Sequence, residues 1–292
     1  MGEETRSSPS VKSAARVFDL LEHIGRQQNG VTFSAISRDL NIPKSSLHAL
    51  LDVMTTREYL EFQPERKTYS LGIRLWETGQ AYHRDHHVVR EARATLESIV
   101  ARVNETAQLA KLVGCENIYL SKVDSSHPLR LQSEVGGRLS AHATGVGKAL
   151  LAQLDDGEVR RRFGTGALQS YTSKTIPTVR SLIAELAVIR RRGFAIDNEE
   201  YTPGVFCVAV PVFETGGVAT TAVSITVPIT RAARESLAMI LAVVADASLN
   251  LSARCGVTNR QVQLLDLTRP ENARQAIEDL VASRRYDLAW AS

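Results

Sequence analysis

Lys44, Ser45, Ser46 and His48 lie together at what reads as the start of a helix, and all are small, polar or basic. Side chains of this kind can hydrogen-bond phosphate oxygens and base edges when a helix enters the major groove. A second set, Thr144-Gly145-Val146-Gly147-Lys148, stands just before the apolar run Ala149-Leu150-Leu151-Ala152. Its glycines free the backbone to approach a ligand, and the unpaired N–H groups of a starting helix attract an anion. Gly145, Gly147 and Lys148 do not complete the spacing of a nucleotide phosphate loop. Cys207, His142 and Asp197 could in principle supply a nucleophile, a base and an orienting carboxylate. Cys207, however, sits inside the apolar stretch VFCVAVPV, with no basic neighbour or helix N-terminus in sequence to lower its pKa. His83, His86 and His87 could share a helical face and take a metal, but beyond them Asp85 is the one nearby ligand. The expectation is no catalytic residue, no metal and no cofactor. The histidine cluster as a metal sensor stays as the second reading, and a cysteine-nucleophile enzyme at Cys207 as the third.

The elements that must position the first set can be read from residues 32–56. Ala35, Ile36 and Leu40 are spaced to bury one side of a helix that Thr32 or Ser34 can cap. Asn41 suits the left-handed conformation of a sharp turn, and Ile42 plugs the angle behind it. Pro43 pre-sets the first turn of a second helix, where Leu47, Leu50, Leu51 and Met54 form the buried stripe. Upstream, residues 11–26 are amphipathic through Val17, Leu20, Leu21 and Ile24. Downstream, residues 60–62 and 68–71 alternate apolar and polar around a Pro64-Glu65-Arg66-Lys67 turn. Three helices and a hairpin make a winged helix-turn-helix, so the expected activity is DNA reading and, through it, transcription regulation. Lys44, Ser45, Ser46, His48, Arg57, Arg66 and Lys67 are the expected DNA contacts.

Charge tempers that reading. Residues 1–72 hold nine basic side chains (Arg6, Lys12, Arg16, Arg26, Arg38, Lys44, Arg57, Arg66, Lys67) and nine acidic ones (Glu3, Glu4, Asp19, Glu22, Asp39, Asp52, Glu58, Glu61, Glu65). With no net positive field, affinity must come from local placement of cations and from doubling in a dimer.

The 292 residues, 43% hydrophobic, suffice for two compact domains. The opening MGEETRSSPS is polar, lacks a signal-peptide pattern and reads as a disordered arm. No apolar run approaches the ~20 residues of a membrane span. Cys115, Cys207 and Cys255 are few, scattered and odd in number, which fits a reducing cytoplasm. Residues 73–102 read as a long charged helix interrupted around residues 83–87. Leu75, Thr78, Gly79 and Tyr82 are spaced to pack along one side, followed by Val89, Ala92, Leu96, Ile99 and Val103.

From residue 106 the period shifts towards strands, expected at 108–113, 117–123, 129–134, 194–197, 205–213 and 218–227. Helices are expected at 142–154, 179–193 and 230–254. Antiparallel strands with helices on one side make an α+β sensor-type domain. Ser224 and Thr226 then point their hydroxyls to one face, and Cys207 shares a face with Ala209. Residues 270–286 carry Ala273, Ile277, Leu280 and Val281 on one stripe, an amphipathic helix started by Pro270. It could cover a surface, brace a subunit contact or hang as a loose tail.

The order of winged helix, linker helix and α+β domain, with the segments GRLSAHATGVGKALLA, RRRGFAIDNEEYTPGVFCVAVPVF and AVSITVP, resembles the IclR family of bacterial transcription regulators over roughly residues 10–252. The resemblance implies a GAF-like domain that binds a small effector, often an organic acid. It also implies a homodimer or dimer of dimers on a pseudo-palindromic double-stranded DNA operator, with no membrane partner. Effector contacts are then expected from Thr144, Gly145, Val146, Gly147, Asp197, Cys207, Ser224 and Thr226. Thr226 replaces a serine often found there, and Ala49 departs from an arginine often found on the recognition helix. Asp197 would repel an acid, so it is expected to meet a hydroxyl or amide donor or to orient its loop. The domains are an arm (1–10), a winged helix-turn-helix (11–72), a linker helix (73–92), a GAF-like effector-binding domain (93–254) and a C-terminal extension (255–292).

Overall fold

In the computed structural model, which describes residues 11–128, 134–257, 262–283, 286 and 288, the chain divides into two units, Met1–Asp85 and His86–Ser292. The expected arm at 1–10 lies outside the described residues. So does the expected strand at 129–134 except for Glu134, which is not in a strand.

The first unit runs α1 (Lys12–Gly25), β1 (Val31–Thr32), α2 (Phe33–Asp39), α3 (Lys44–Thr56), β2 (Leu60–Gln63), β3 (Thr68–Leu71) and α4 (Ile73–Asp85). Leu20 and Ile24 of α1, Ile36 of α2 and Leu47, Leu51 and Met54 of α3 close on one small core with Ile42 and Leu60. The tight turn between α2 and α3 has the expected chemistry. Thr32 caps α2 at the Ala35 amide (3.3 Å), Asn41 has φ 49°, and the Ser37 hydroxyl donates to the Ile42 carbonyl at 2.9 Å. The wing is a three-stranded sheet in the order β1-β3-β2, because Val31 and Thr32 also pair with β3. Two residues are too short a run to show a period, which is why β1 was not expected. The packing expected for α4 is corrected: it has no buried residue, and Ile73 and Trp76 are more than half exposed.

The second unit begins with α5 (His87–Val103), so the helix break falls at His86 and the boundary lies earlier than residue 93. It continues through β4 (Thr106–Val113), β5 (Glu116–Val123), β6 (Arg138–Ser140), α6 (Gly145–Leu151), α7 (Asp156–Phe163) and α8 (Val179–Arg192). Then come β7 (Ala195–Asn198), β8 (Val205–Val212), β9 (Thr221–Pro228), α9 (Arg234–Arg254), α10 (Val262–Leu267) and α11 (Pro270–Ala282). The strands form one antiparallel sheet in the order β6-β5-β4-β9-β8-β7.

Helices cover both faces of this sheet, not one. Leu109, Val208, Val210, Val223 and Ile225 pack with α5, α9, α10 and α11. Ala110, Ala195, Ala209 and Ala222 pack with α6 and α8 on the other side. The near-continuous burial of β8 and β9 is the mark of strands covered on both faces. The expectation about membrane spans also needs correcting, since α9 at 21 residues is long and apolar enough to cross one. Here it is instead a core helix, with Leu237, Leu241, Val244 and Leu251 buried against the sheet. The extension is no loose tail. Leu264, Leu267, Ala273, Ile277, Leu280 and Leu288 all enter the same core. Tyr286 seals it: its hydroxyl donates to Glu185 Oε1 at 2.5 Å and accepts from Arg192 Nη1 at 2.7 Å.

Candidate functional site

The α6 side of the sheet opens into a cavity of about 620 Å³. Three segments far apart in sequence meet on its wall. Thr144, Gly145 and Val146 come from the start of α6, Asp197 and Cys207 from the paired strands β7 and β8, and Ser224 and Thr226 from β9. The register explains this convergence. Asp197 stands opposite Cys207, Cys207 opposite Thr226, and Ser224 opposite Gln108 of β4, so one continuous stripe faces the opening. Gln108, Tyr119, Leu139, Tyr201, the Thr202–Val205 turn and Pro228 complete the wall, none of them anticipated from sequence.

Gly147, the remaining expected contact, does not line the cavity. A Cβ there would fall 2.2 Å from the Ala141 carbonyl oxygen, so this glycine lets α6 seat against the preceding turn. Its amide is also taken, by the Thr144 hydroxyl at 3.3 Å. That hydroxyl in turn donates to Asn117 Oδ1 at 2.7 Å, which anchors the start of α6 to β5. The amides of Gly145 and Val146 have no acceptor within their own helix, as at any helix start, and both residues border the cavity.

The hydroxyls of Ser224 and Thr226 both donate to Gln108 Oε1 at 3.2 Å, and the Cys207 thiol donates to Thr226 Oγ1 at 3.2 Å. With these hydrogens engaged, the strip presents mainly hydroxyl lone pairs to the cavity. Burial, then the nearby Asp197 carboxyl, pushes the Cys207 thiol well up, so it is a poor nucleophile. His142 is not among the residues that line the cavity. The imidazole bonds the Gln169 carbonyl at 2.9 Å, and burial holds its pKa down. The catalytic arrangement considered from sequence is therefore not assembled.

Behind the wall lies a charged cluster that spacing in sequence gave no means of finding. Lys148 of α6 is fully buried and ion-paired with Glu200, whose side chain is 6% exposed. The Glu200 amide donates to Asp197 Oδ1 at 2.7 Å. Burial, followed by the Glu200 carboxylate, pushes Asp197 up to about 8. Burial raises Glu200 as well, against the pull of Lys148.

On the first unit, Lys44, Ser45 and His48 are exposed along α3 and Ser46 is half-buried. Arg57 is exposed at the end of that helix, and Arg66 and Lys67 at the wing turn, where Lys67 has φ 53°. His48 lies beside Phe33, ring centroids 6.4 Å apart. Among the described residues no group of three His, Cys, Asp or Glu side chains is placed to hold a metal ion.

Comparison with known proteins agrees with this architecture. Residues 13–64 match the IclR helix-turn-helix domain, and residues 80–253 match the domain described as bacterial transcriptional regulator IclR C-terminal. The HTH-type transcriptional regulator KdgR of Escherichia coli is 31% identical over 247 residues, 85% of this chain and 94% of that protein. BhcR of Paracoccus denitrificans is 30% identical over 86% of this chain and 90% of its own length. The crystal structure of Thermotoga maritima IclR superposes with a TM-score of 0.71 at 27% identity, covering 85% of this chain and all of that one. An IclR homologue from Microbacterium hydrocarbonoxydans complexed with 4-hydroxybenzoate gives 0.73 at 24% identity, covering 84% and 99%. An N-terminal helix-turn-helix joined to a C-terminal domain of mixed helices and sheet, matched over most of its length, places this chain in the IclR family of DNA-binding bacterial transcription regulators.

Proposed function

We propose that this regulator's hold on its operator is set by a small organic or aromatic acid, or a derivative of one, seated in the cavity beside α6. The observation that carries this is the convergence of Thr144, Gly145, Val146, Asp197, Cys207, Ser224 and Thr226 on one wall. The Gly145 and Val146 amides would take the anionic end. Leu139, Tyr201, Pro203, Val205 and Pro228 would hold the apolar body.

DNA would be met by Lys44, Ser45, Ser46 and His48 on α3, with Arg57, Arg66 and Lys67 on phosphates. The balanced charge of residues 1–72 favours a homodimer or dimer of dimers on half-sites about a helical turn, or a multiple of it, apart. Exposed Phe18, Ile73 and Trp76 in the first unit support such pairing. The protein would act in the cytoplasm and carry out no catalysis. The test is fluorescence anisotropy on the DNA upstream of its own and neighbouring genes, with and without small carboxylates. 4-Hydroxybenzoate, the ligand of the Microbacterium homologue, is a first probe. Affinity unmoved by every acid that stabilises the protein would refute effector control.

A further inference from the structure

We propose that Asp197 is a neutral hydrogen-bond donor on the cavity wall and restricts the site to ligands with a single carboxylate. This rests on the organic-acid reading above and narrows it.

Asp197 is 3% exposed, Glu200 is 4% exposed and Lys148 is fully buried. Two carboxyls thus share one ammonium. With both ionised the cluster would hold an uncompensated buried anion, which burial resists by keeping a proton. Lys148 is in direct contact with Glu200, so Glu200 has the ammonium and Asp197 keeps the proton. The other groups facing Asp197 cannot replace that proton. Cys207 on β8 spends its hydrogen on Thr226, and burial keeps the phenols of Tyr119 on β5 and Tyr201 neutral, so none of them adds the positive charge that would let Asp197 ionise. Among the described lining residues there is no lysine or arginine. The direction of the Asp197 shift agrees with this placement.

The consequence for recognition follows from what each end of a ligand would meet. A carboxylate at the Gly145 and Val146 amides also meets the Asp197 proton, a charge-assisted bond that an ionised Asp197 would turn into repulsion. A second carboxylate elsewhere in the cavity finds no cation among the described lining residues. Where Asp197 has lost its proton, binding must take one up from solvent.

Calorimetry on the full chain decides the matter, with benzoate and 4-hydroxybenzoate as monocarboxylates and terephthalate as the dicarboxylate. Between ~pH 7 and ~pH 9 the wild-type Kd for the monocarboxylates should weaken about tenfold, with about one proton taken up per ligand at the higher pH. Terephthalate should bind at least about tenfold more weakly than benzoate at neutral pH. Asp197→Asn, which keeps a donor at every pH, should bind at neutral pH and lose the pH dependence. A ligand-free infrared difference spectrum, wild type minus Asp197→Asn, should show a protonated carboxyl carbonyl at neutral pH.

A pH-flat wild type, pH dependence retained in Asp197→Asn, or a missing carbonyl band each overturns the assignment. If the band is present but no monocarboxylate binds at neutral pH, the organic-acid reading falls and the proposed selectivity falls with it.

Discussion

Lys148→Met should be among the most damaging single changes in the effector domain, although the residue is expected to touch neither DNA nor ligand. Lys148 and Glu200 are 0% and 6% exposed, so water contributes little to either charge. Removing the ammonium leaves Glu200 and Asp197 buried together without a cation. Breaking a buried pair in this one-sided way typically costs ~3–5 kcal/mol. A loss of 1 kcal/mol lowers Tm by ~2–4 °C in a domain of ~150–250 residues, so the expected shift is ~6–20 °C. Glu200→Gln leaves Asp197 as the carboxyl that can ionise for the ammonium, and should cost less. The double variant strands no ammonium and removes one of the two carboxyls. It should recover ~2 kcal/mol or more relative to the sum of the singles. Thermal and urea unfolding of the full chain reads all four corners of the cycle. The deficit of Lys148→Met should shrink as pH falls, because protonating Glu200 removes the stranded charge. A loss under ~1 kcal/mol, or strictly additive singles, would refute the claim that this pair is buried and coupled.

Lys44→Ala should weaken operator binding, and if the contact is to phosphate the log–log salt slope should fall by ~1; unchanged affinity and slope in an anisotropy series would remove Lys44 from the interface. Ser224→Ala should raise the effector Kd on the order of several-fold to tenfold and leave effector-free DNA affinity intact, while Cys207→Ser should keep the response. The opposite pattern in a titration would dismantle the proposed wall. Truncation after Arg254 removes Leu264, Leu267, Ile277 and Leu280 from the core. At ~1.5–3 kcal/mol per buried side chain, Tm should fall by ~10 °C or more, and an unchanged melting curve would show that the extension does not contribute. Asp197 is raised from 3.8 to about 8 in the folded protein, so between those values the folded state holds more protons than the unfolded one. Stability should therefore fall as pH rises through that window, and Asp197→Asn should flatten the slope in urea titrations.

The helix-turn-helix was legible because its determinants are local. Thr32, Asn41, Ile42 and Pro43 act within a few residues of where they stand, and the stripe of Leu47, Leu51 and Met54 repeats at the helical period. The lining strands were legible for the same reason, since alternation puts Ser224 and Thr226 on one face. Gln108 and Tyr119 were not, because their place at the site depends on β4 lying between β5 and β9, a pairing over more than a hundred residues. The Lys148–Glu200 pair spans 52 residues and leaves no periodic trace. α7 was missed because its sequence DGEVRRRF has one buried residue, Val159, and α10 because six residues are too few to show a stripe. Gly147 looked like a ligand contact because glycine signals close approach without saying what approaches.

The alternation of β9 separates two kinds of inheritance. Val223, Ile225 and Val227 face the core with α5 and α9, while Ser224 and Thr226 face the cavity. β8 divides likewise, Phe206 and Val208 on one side and Cys207 on the other, and so does β7 with Ile196 and Asp197. A lineage can therefore retune what it senses by drifting at every second position, while the intervening residues go on specifying the same sheet. The sensor's vocabulary and its grammar are written on opposite sides of one strand.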